Sequence, residues 1–504
     1  MRPSPARQAT LREHNLGLVL SEVIDAAAAG SPPPSRADVA AATGLARATV
    51  SALVDRLVGA GLVAELAPTL TLRAGRPAVP LRPAARTLAA VGAEVNVDYL
   101  GVRVLDLTGA VLAERVEPGD FRDSEASPVL ARLGALVDEV VATLAGEPPV
   151  DRLTRRSGDG TSGVTRAGGD ETSRVTRAGG DGTSRVTRAG GGETPGATRP
   201  GESRDDGPPV TRLAGTALAL PGIVDRGAGP LRVAPNLGWR DVDVVTALVG
   251  ASRTFAAHPP LLANEADLAA RAESAARLRR IPAGAGAAAP EAGTGPGPGI
   301  GTGPGATPGF AAAPAPPPAD GPDGERARPS FVYVSGEIGI GGALVLDGEI
   351  FAGRHGWAGE LGQTLVDGLR LERLVGQDAL LRAAGLDPRA GVDSLVRAAR
   401  AGDERVRDVL HEAGALLGRA VANLVNLVDV NDVVLGGTYA RLAEWIAEPA
   451  RASLARHVLA APWAPPTVDV ARAGEIPAMT GAALSVLAEV VADPSSWLLD
   501  PVDA

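Results

Sequence analysis

The 504-residue sequence contains no cysteine and no lysine. Without cysteine there is no disulfide, no thiol nucleophile and no thiolate metal site. Without lysine there is no P-loop lysine and no Schiff-base chemistry, and all 49 basic residues are arginine. A high-GC genome shifts lysine codons to arginine codons and produces this bias without selection on the protein. Nor is there a run of about 18 apolar residues, the length a transmembrane helix needs. The opening MRPSPARQATLREH is polar and basic and lacks the apolar core of a signal peptide. These absences predict a cytoplasmic chain without a membrane partner. Histidine is scarce as well. His14, His258, His355, His411 and His457 are scattered, and none pairs with another ligand at a recognised metal spacing. No metal and no cofactor is therefore expected. His355 stands near an acidic turn, within reach of a cleft, although a solvated loop histidine is the plainer expectation.

What is present supports a folded chain of roughly three domains, with 45% apolar residues. The net charge of −10 is unevenly spread: residues 1–90 carry a net +4 and the remainder −14. That asymmetry suits a small nucleic-acid module joined to an acidic sensor or assembly domain.

Residues 35–61, SRADVAAATGLARATVSALVDRLVGAG, read as a helix-turn-helix. Ser35 is the N-cap of a short helix through Ala42. Thr43-Gly44-Leu45 forms the turn, and a second helix runs from about Ala46 to Ala60, with Val50, Leu53, Val54 and Leu57 at helical spacing. Its head, Arg47, Ala48, Thr49 and Ser51, is small or polar, as the tip of a helix entering a major groove must be. Arg56 adds a cation further along the same helix. Residues 62–65 and roughly 78–81 pair as a hairpin. Its basic tip, with Arg73 and Arg76, forms a wing for the phosphate backbone or minor groove. Residues 1–85 are thus expected to be a winged helix-turn-helix that binds double-stranded DNA. The alternative is a helical hairpin used only for packing.

Two segments read as insertions. Residues 151–207 hold an 11-residue repeat, VTRAGGDETSR, VTRAGGDGTSR and VTRAGGGETPG, with one valine per unit and helix-breaking glycine pairs. An 11-residue period forms a helical supercoil only with an apolar seam, which is missing here. Residues 282–329 are dominated by Ala, Gly and Pro, outside any strand–loop–helix context. Both are predicted to be disordered. Removing them leaves an α/β pattern. Strands are predicted at 89–95, 101–106, 110–114, 213–220, 330–335, 342–346 and 432–435. Helices are predicted at 127–145, 241–249, 264–279, 377–383, 393–400, 403–427, 439–457 and 479–492. The order strand-strand-strand-helix-strand-helix occurs twice, which predicts two similar lobes with a cleft between them over residues 86–504.

Several motifs fall at predicted strand ends, where ligands bind in open α/β sheets. They are ALALPGIVD (217–225), RVAPNLGW (232–239), LLANEADLAARAE (261–273), VSGEIGIGGALVLDGEIFAGRHGWAGELGQ (334–363) and VVLGGTYARL (433–442). In that order they resemble the ROK family of sugar-responsive repressors and sugar kinases. The resemblance implies a two-lobed actin-like ATPase fold, and the N-terminal helix-turn-helix places the chain on the repressor branch. It further implies that Asn264 binds sugar hydroxyls and that Glu265 occupies the place of the kinases' catalytic aspartate. Glu360 matches the glutamate of the Gly-Glu-x-Gly-His motif, whose final His, a zinc ligand in relatives, is Gln363 here. Glu372 matches a further sugar-binding glutamate, and Asn236 belongs to the pocket rim. The cysteine-bearing zinc loop of relatives is shortened to residues 364–370. Carboxylates and amides in a cleft read adjacent hydroxyls by directional hydrogen bonds, which suits a polyol. Taken singly, each of these residues has a structural alternative, and Asn264 is well placed to cap a helix.

Phosphoryl transfer needs a glycine-rich turn for the nucleotide phosphates. Kinases of this family carry Asp-x-Gly-Gly-Thr after the first strand. Here residues 94–101 read EVNVDYLG, with bulky Tyr99 and Leu100 and no paired glycines. The expectation is a non-enzymatic, sugar-responsive regulator, most simply a repressor, bound to its operator as a homodimer or higher homo-oligomer. The alternatives are a sugar kinase with a fused DNA-binding module, and a DNA-binding scaffold whose effector pocket has decayed.

Overall fold

The polarity of the first residues hides a helix. The computed structural model describes residues 8–67, 78–144, 212–225, 229–278, 328–336 and 338–498. It opens with α1 (Gln8–Ala28), a helix absent from the sequence reading. Leu16, Val19, Leu20 and Val23 recur at helical spacing and are all buried. Ser35 then caps α2 (Arg36–Thr43). Its hydroxyl accepts from the Asp38 N–H, while the Asp38 carboxylate accepts from the Ser35 N–H at 2.9 Å, a capping box. α3 (Arg47–Gly59) follows at 118° to α2, the crossing expected of a helix-turn-helix. Arg36 ties the motif together by pairing with Asp55 of α3 and with Glu65. β1 (Val63–Glu65) and β2 (Leu81–Pro83) pair antiparallel, with Val63 opposite Pro83. The second strand thus lies slightly beyond the predicted 78–81, and the wing tip with Arg73 and Arg76 lies outside the described residues.

The first lobe is built on β3 (Leu88–Val95), β4 (Tyr99–Asp106) and β5 (Val111–Pro118), followed by α4 (Ala126–Leu144) and β6 (Arg212–Leu220). A small antiparallel sheet, β7 (Ile223–Val224), β8 (Leu231–Ala234) and β9 (Trp239–Val242), comes next. The helices α5 (Val244–Ala251) and α6 (Arg253–Ala257) lead to β10 (Leu261–Asn264) and α7 (Glu265–Leu278). Every residue of β3 is buried, as befits a central strand covered on both faces.

The second lobe begins with β11 (Phe331–Gly336), β12 (Ile340–Leu346) and β13 (Glu349–Ile350). A tight hairpin, β14 (Leu365–Val366) and β15 (Leu369–Arg370), precedes α8 (Leu371–Val375), α9 (Gln377–Ala384), α10 (Gly391–Arg400) and the long α11 (Glu404–Val428). The lobe ends with β16 (Asp432–Gly436), α12 (Gly437–Arg441), α13 (Ala443–His457) and β17 (Thr467–Val470), after which α14 (Pro477–Ala492) returns to pack on β3, β6 and α7 of the first lobe. The single helix predicted at 439–457 is divided at Leu442, whereas Pro449 sits inside α13, buried beside Gly414 of α11.

The two main sheets share one topology. Their orders are β10-β6-β3-β4-β5 and β13-β12-β11-β16-β17. In each, the first strand pairs antiparallel with the second and parallel with the fourth, and the fifth extends the parallel side. This is the duplicated α/β pattern read from the sequence. The core beneath the helix-turn-helix is continuous with that of the first sheet: Leu57, Leu62 and Leu81 share a cluster with Leu88, Ala90 and, on α14, Val486 and Val490. The expected insertions fall outside the described residues, apart from the last two positions of the second.

Candidate functional site

The carboxyl ends of the parallel strands place the candidate ligand groups. β10 runs parallel to β6 with Asn264 opposite Leu220, so Pro221, Gly222, Asn264 and Glu265 emerge at one edge. The second lobe contributes the turn before β12, the acidic turn at 356–363 and the start of α8. Asn236, Asn264, Glu265, Glu360, Gln363 and Glu372 all line one cavity of about 340 Å³.

Their hydrogen bonds differ in kind. Asn264 is largely structural: its amide donates to the Gly222 carbonyl at 2.8 Å and its oxygen accepts from the Ala266 N–H at 2.8 Å. It fastens the strand-end turn and caps α7, leaving one N–H and one lone pair for a ligand. Glu372 and Asn236 converge on the backbone of Gly339, where a side chain would come within 3.1 Å of Glu372 Oε2 and 3.3 Å of Asn236 Nδ2. Gln363 donates to Glu372 Oε2 at 3.4 Å. Burial pushes the Glu360 carboxyl above the ordinary carboxylate range, and the neighbouring Glu372 pushes it the same way. The acidic turn lies tight on β12. Gly359 adopts φ +98°, and a Cβ there would stand 2.2 Å from the Gly342 carbonyl oxygen. That contact explains a pair of glycines whose role the sequence leaves open.

Two lining residues were not singled out from the sequence. Arg370 ends the β14–β15 hairpin. Trp357 stacks on His355 with ring centroids 5.3 Å apart, and its indole N–H donates to the Val224 carbonyl of the first lobe at 3.2 Å. The available signal was a tryptophan set among small residues in GWAGELG. The zinc donors of relatives do not fit this chain: Gln363 replaces the His, and no cysteine exists. The shortened loop is a two-residue hairpin whose tip residue Asp367 pairs with Arg419 of α11 at 2.7 Å. Among the described residues, no three His, Asp or Glu side chains are grouped to hold a metal ion.

Beside this cavity lies a much smaller cleft of about 20 Å³, lined by Glu94, Tyr99, Glu265, Ser335, Gly437 and Glu475 among others. It has room for roughly one water. The turn after β3 is closed on itself. The Asn96 N–H donates to the Tyr99 carbonyl at 3.0 Å, the Asp98 N–H to Asn96 Oδ1 at 3.1 Å, and the Tyr99 hydroxyl to Glu94 Oε1 at 2.7 Å.

On α3, Arg47, Ala48, Thr49 and Arg56 are exposed and Ser51 is half-buried, while Val50, Leu53, Val54 and Leu57 face the core. Ala46 caps the helix without a side-chain hydrogen bond, so the first-turn N–H groups remain available to an anion. Among the described residues, no single helix is long and apolar enough to cross a membrane.

Known proteins agree with this architecture. The fold matches a crystal structure described as a ROK family transcriptional regulator, a homolog of the E. coli MLC protein. The TM-score is 0.61 at 19% identity, over 97% of this chain and 99% of that one. An N-acetylmannosamine kinase of Salmonella typhi is 30% identical over 134 residues, 24% of this chain and 46% of the relative. The bifunctional enzyme NanE/NanK of Brucella melitensis is 39% identical over 111 residues, 21% of each chain. The chain thus spans less than half the length of these curated relatives. Residues 324–489, from the strand that opens the second lobe through most of α14, match the ROK family. Residues 324–489 thus carry a ROK family domain, and the chain shares the fold of that regulator structure.

Proposed function

We propose that this protein is a sugar-responsive transcriptional regulator. Residues 1–85 bind double-stranded operator DNA, and residues 86–504 bind the sugar and assemble the homo-oligomer. The observation that carries the reading is the contrast between two neighbouring spaces. The cavity that holds Asn236, Asn264, Glu360, Gln363 and Glu372 is large enough for a sugar. The cleft next to it has room for about one water and is walled by Glu94, Glu265 and Glu475. Carboxylates repel a polyphosphate, and the Asn96 and Asp98 N–H groups of the turn after β3 already have partners, so among the described residues this turn is a poor cradle for a nucleotide. Phosphoryl transfer needs that cradle.

The recognition helix offers Arg47, Ala48, Thr49 and Ser51 at its head and Arg56 further along, with Arg73 and Arg76 assigned to the wing by sequence. A sugar acts on DNA binding only through its differential affinity for the DNA-bound and free conformations. In the simplest form the sugar favours the free conformation and the protein is a cytoplasmic repressor. The kinase relatives support a second reading, in which Glu265 acts as the base for phosphoryl transfer. One experiment separates the two. Purified protein is mixed with operator DNA, a panel of sugars and ATP. Sugar-dependent release of DNA without ADP formation supports the regulator, whereas sugar-dependent ADP formation supports the kinase.

A further inference from the structure

The cavity is larger than one sugar ring needs. Its volume of about 340 Å³ equals that of roughly eleven liquid waters. A hexose packs about as many heavy atoms, but joins them by covalent bonds far shorter than the spacing between waters. Of the polar groups on the lining, Asn236, Asn264 and Glu372 are half-buried, while Glu360 and Gln363 are exposed. Trp357 also lines the cavity and keeps 43% of its surface exposed, which places it at the mouth. Its ring is held in place from two directions. The indole N–H is fixed on the Val224 carbonyl at 3.2 Å, and one face rests on the His355 imidazole. His355 is not among the residues that line the cavity.

We propose that Trp357, backed by His355, is a stacking platform for a second sugar ring, and that the effector is a disaccharide or a longer glycoside. This rests on the sugar-sensing reading above. The argument is one of matching surfaces. A pyranose has an apolar face of axial C–H groups, and a pre-positioned indole covers that face at little entropic cost because its two χ angles are already fixed. The first ring lies among the carboxylates and amides. The second ring lies on Trp357, and Arg370, which also lines the cavity, is a donor for sugar hydroxyls.

The test is a titration calorimetry series on the full-length protein with matched pairs: glucose with maltose and cellobiose, xylose with xylobiose, and N-acetylglucosamine with its β-1,4 dimer. The expected result is that one disaccharide binds about tenfold tighter than its own monosaccharide. In Trp357→Ala that ratio falls to near one. In Trp357→Phe, which keeps a ring but loses the bond to Val224, most of the ratio persists. Phe also guards against an Ala variant that fails to fold. Equal affinity for each pair in the wild type overturns the proposal, as does a Trp357→Ala variant that keeps the disaccharide preference. If neither member of any pair binds, the sugar-sensing reading fails and the subsite fails with it. Tight monosaccharide binding without a disaccharide gain overturns only the subsite.

Discussion

Gly481 of α14 faces the carbonyl oxygen of Leu268 on α7 so closely that a Cβ would stand 1.7 Å from it. Two effects oppose each other in Gly481→Ala. Alanine favours an isolated helix by about 1 kcal/mol. The backbone clash forces the two helices apart, and overpacking of this kind costs about 1–3 kcal/mol or more. The clash is with backbone rather than a flexible side-chain end, so it wins, and net destabilisation of about 2 kcal/mol is expected. Gly250, with nothing within 4 Å of its Cβ position, is the control. Gly250→Ala should stabilise, and urea denaturation of both variants reads the opposite signs.

Glu360 gives a pH prediction. Its carboxyl is raised by burial and by Glu372, so the folded state holds the proton more tightly than the unfolded chain does. The folded protein therefore loses stability as pH rises from the unfolded value of about 4.5 through the folded one. Glu360→Gln removes that loss. Its melting temperature should match wild type near pH 4 and exceed it modestly at pH 7. An equal difference at both pH values would show that the charge is not the cause.

The same variant also tests the proposed effector site. If Glu360 and Glu372 read sugar hydroxyls, Glu360→Gln and Glu372→Ala should lose ligand-induced thermal stabilisation yet still bind operator. The expected phenotype is a repressor blind to its inducer. Loss of DNA binding in either variant would instead point to a scaffold role.

Arg47, exposed at the head of α3, should contribute to operator contact. Arg47→Ala is expected to weaken binding by about 1–3 kcal/mol if it reads a base edge. If it touches only phosphate, the loss should be the same on all sequences and the salt slope should fall by about one. Fluorescence anisotropy at several salt concentrations distinguishes the two, and wild-type affinity would remove Arg47 from the interface.

Asp138 on α4 anchors the start of α6 by accepting from the Ser252 hydroxyl at 2.8 Å and from the Thr254 N–H at 3.0 Å. Burial alone would raise its carboxyl, but the hydrogen bonds from Thr254, Ser252 and Arg253 outweigh it and hold the group below the usual range. Its contribution is therefore present above the unfolded pKa and lost as pH falls through the folded one. Asp138→Ala should cost about 1–3 kcal/mol at neutral pH, a gap that narrows on acidification in equilibrium unfolding.

The helix-turn-helix and the central strands were legible because their signals are local. Ser35 announces a cap, and β3 is an apolar run interrupted only by Glu94. The carboxylate and amide lining was legible through the resemblance of its ordered motifs to the ROK family, which singled out residues that the fold gathers around one cavity. α1 was missed because the polar, basic opening of the chain dominates the impression, while Leu16, Val19, Leu20 and Val23 meet their partners only in the folded chain. The short strands β7, β8 and β9 carry too few residues to show a period. Pro449 marks a helix break by local rules, yet tertiary packing keeps it inside α13, and the division falls at Leu442. The role of Trp357 could not be read at all, since its anchor, Val224, lies in the other lobe.

α14 begins beside the acidic cleft, which Pro477 and Ala478 help to line. At its far end, the carbonyl oxygen of Val491 lies 3.2 Å from the position of a Cβ on Gly17 of α1. Its 16 residues form a rod of about 24 Å at 1.5 Å per residue. No loop interrupts the rod, so nothing along it absorbs a displacement. The helix-turn-helix is braced through α1 against the joint between the lobes, not suspended from a tether.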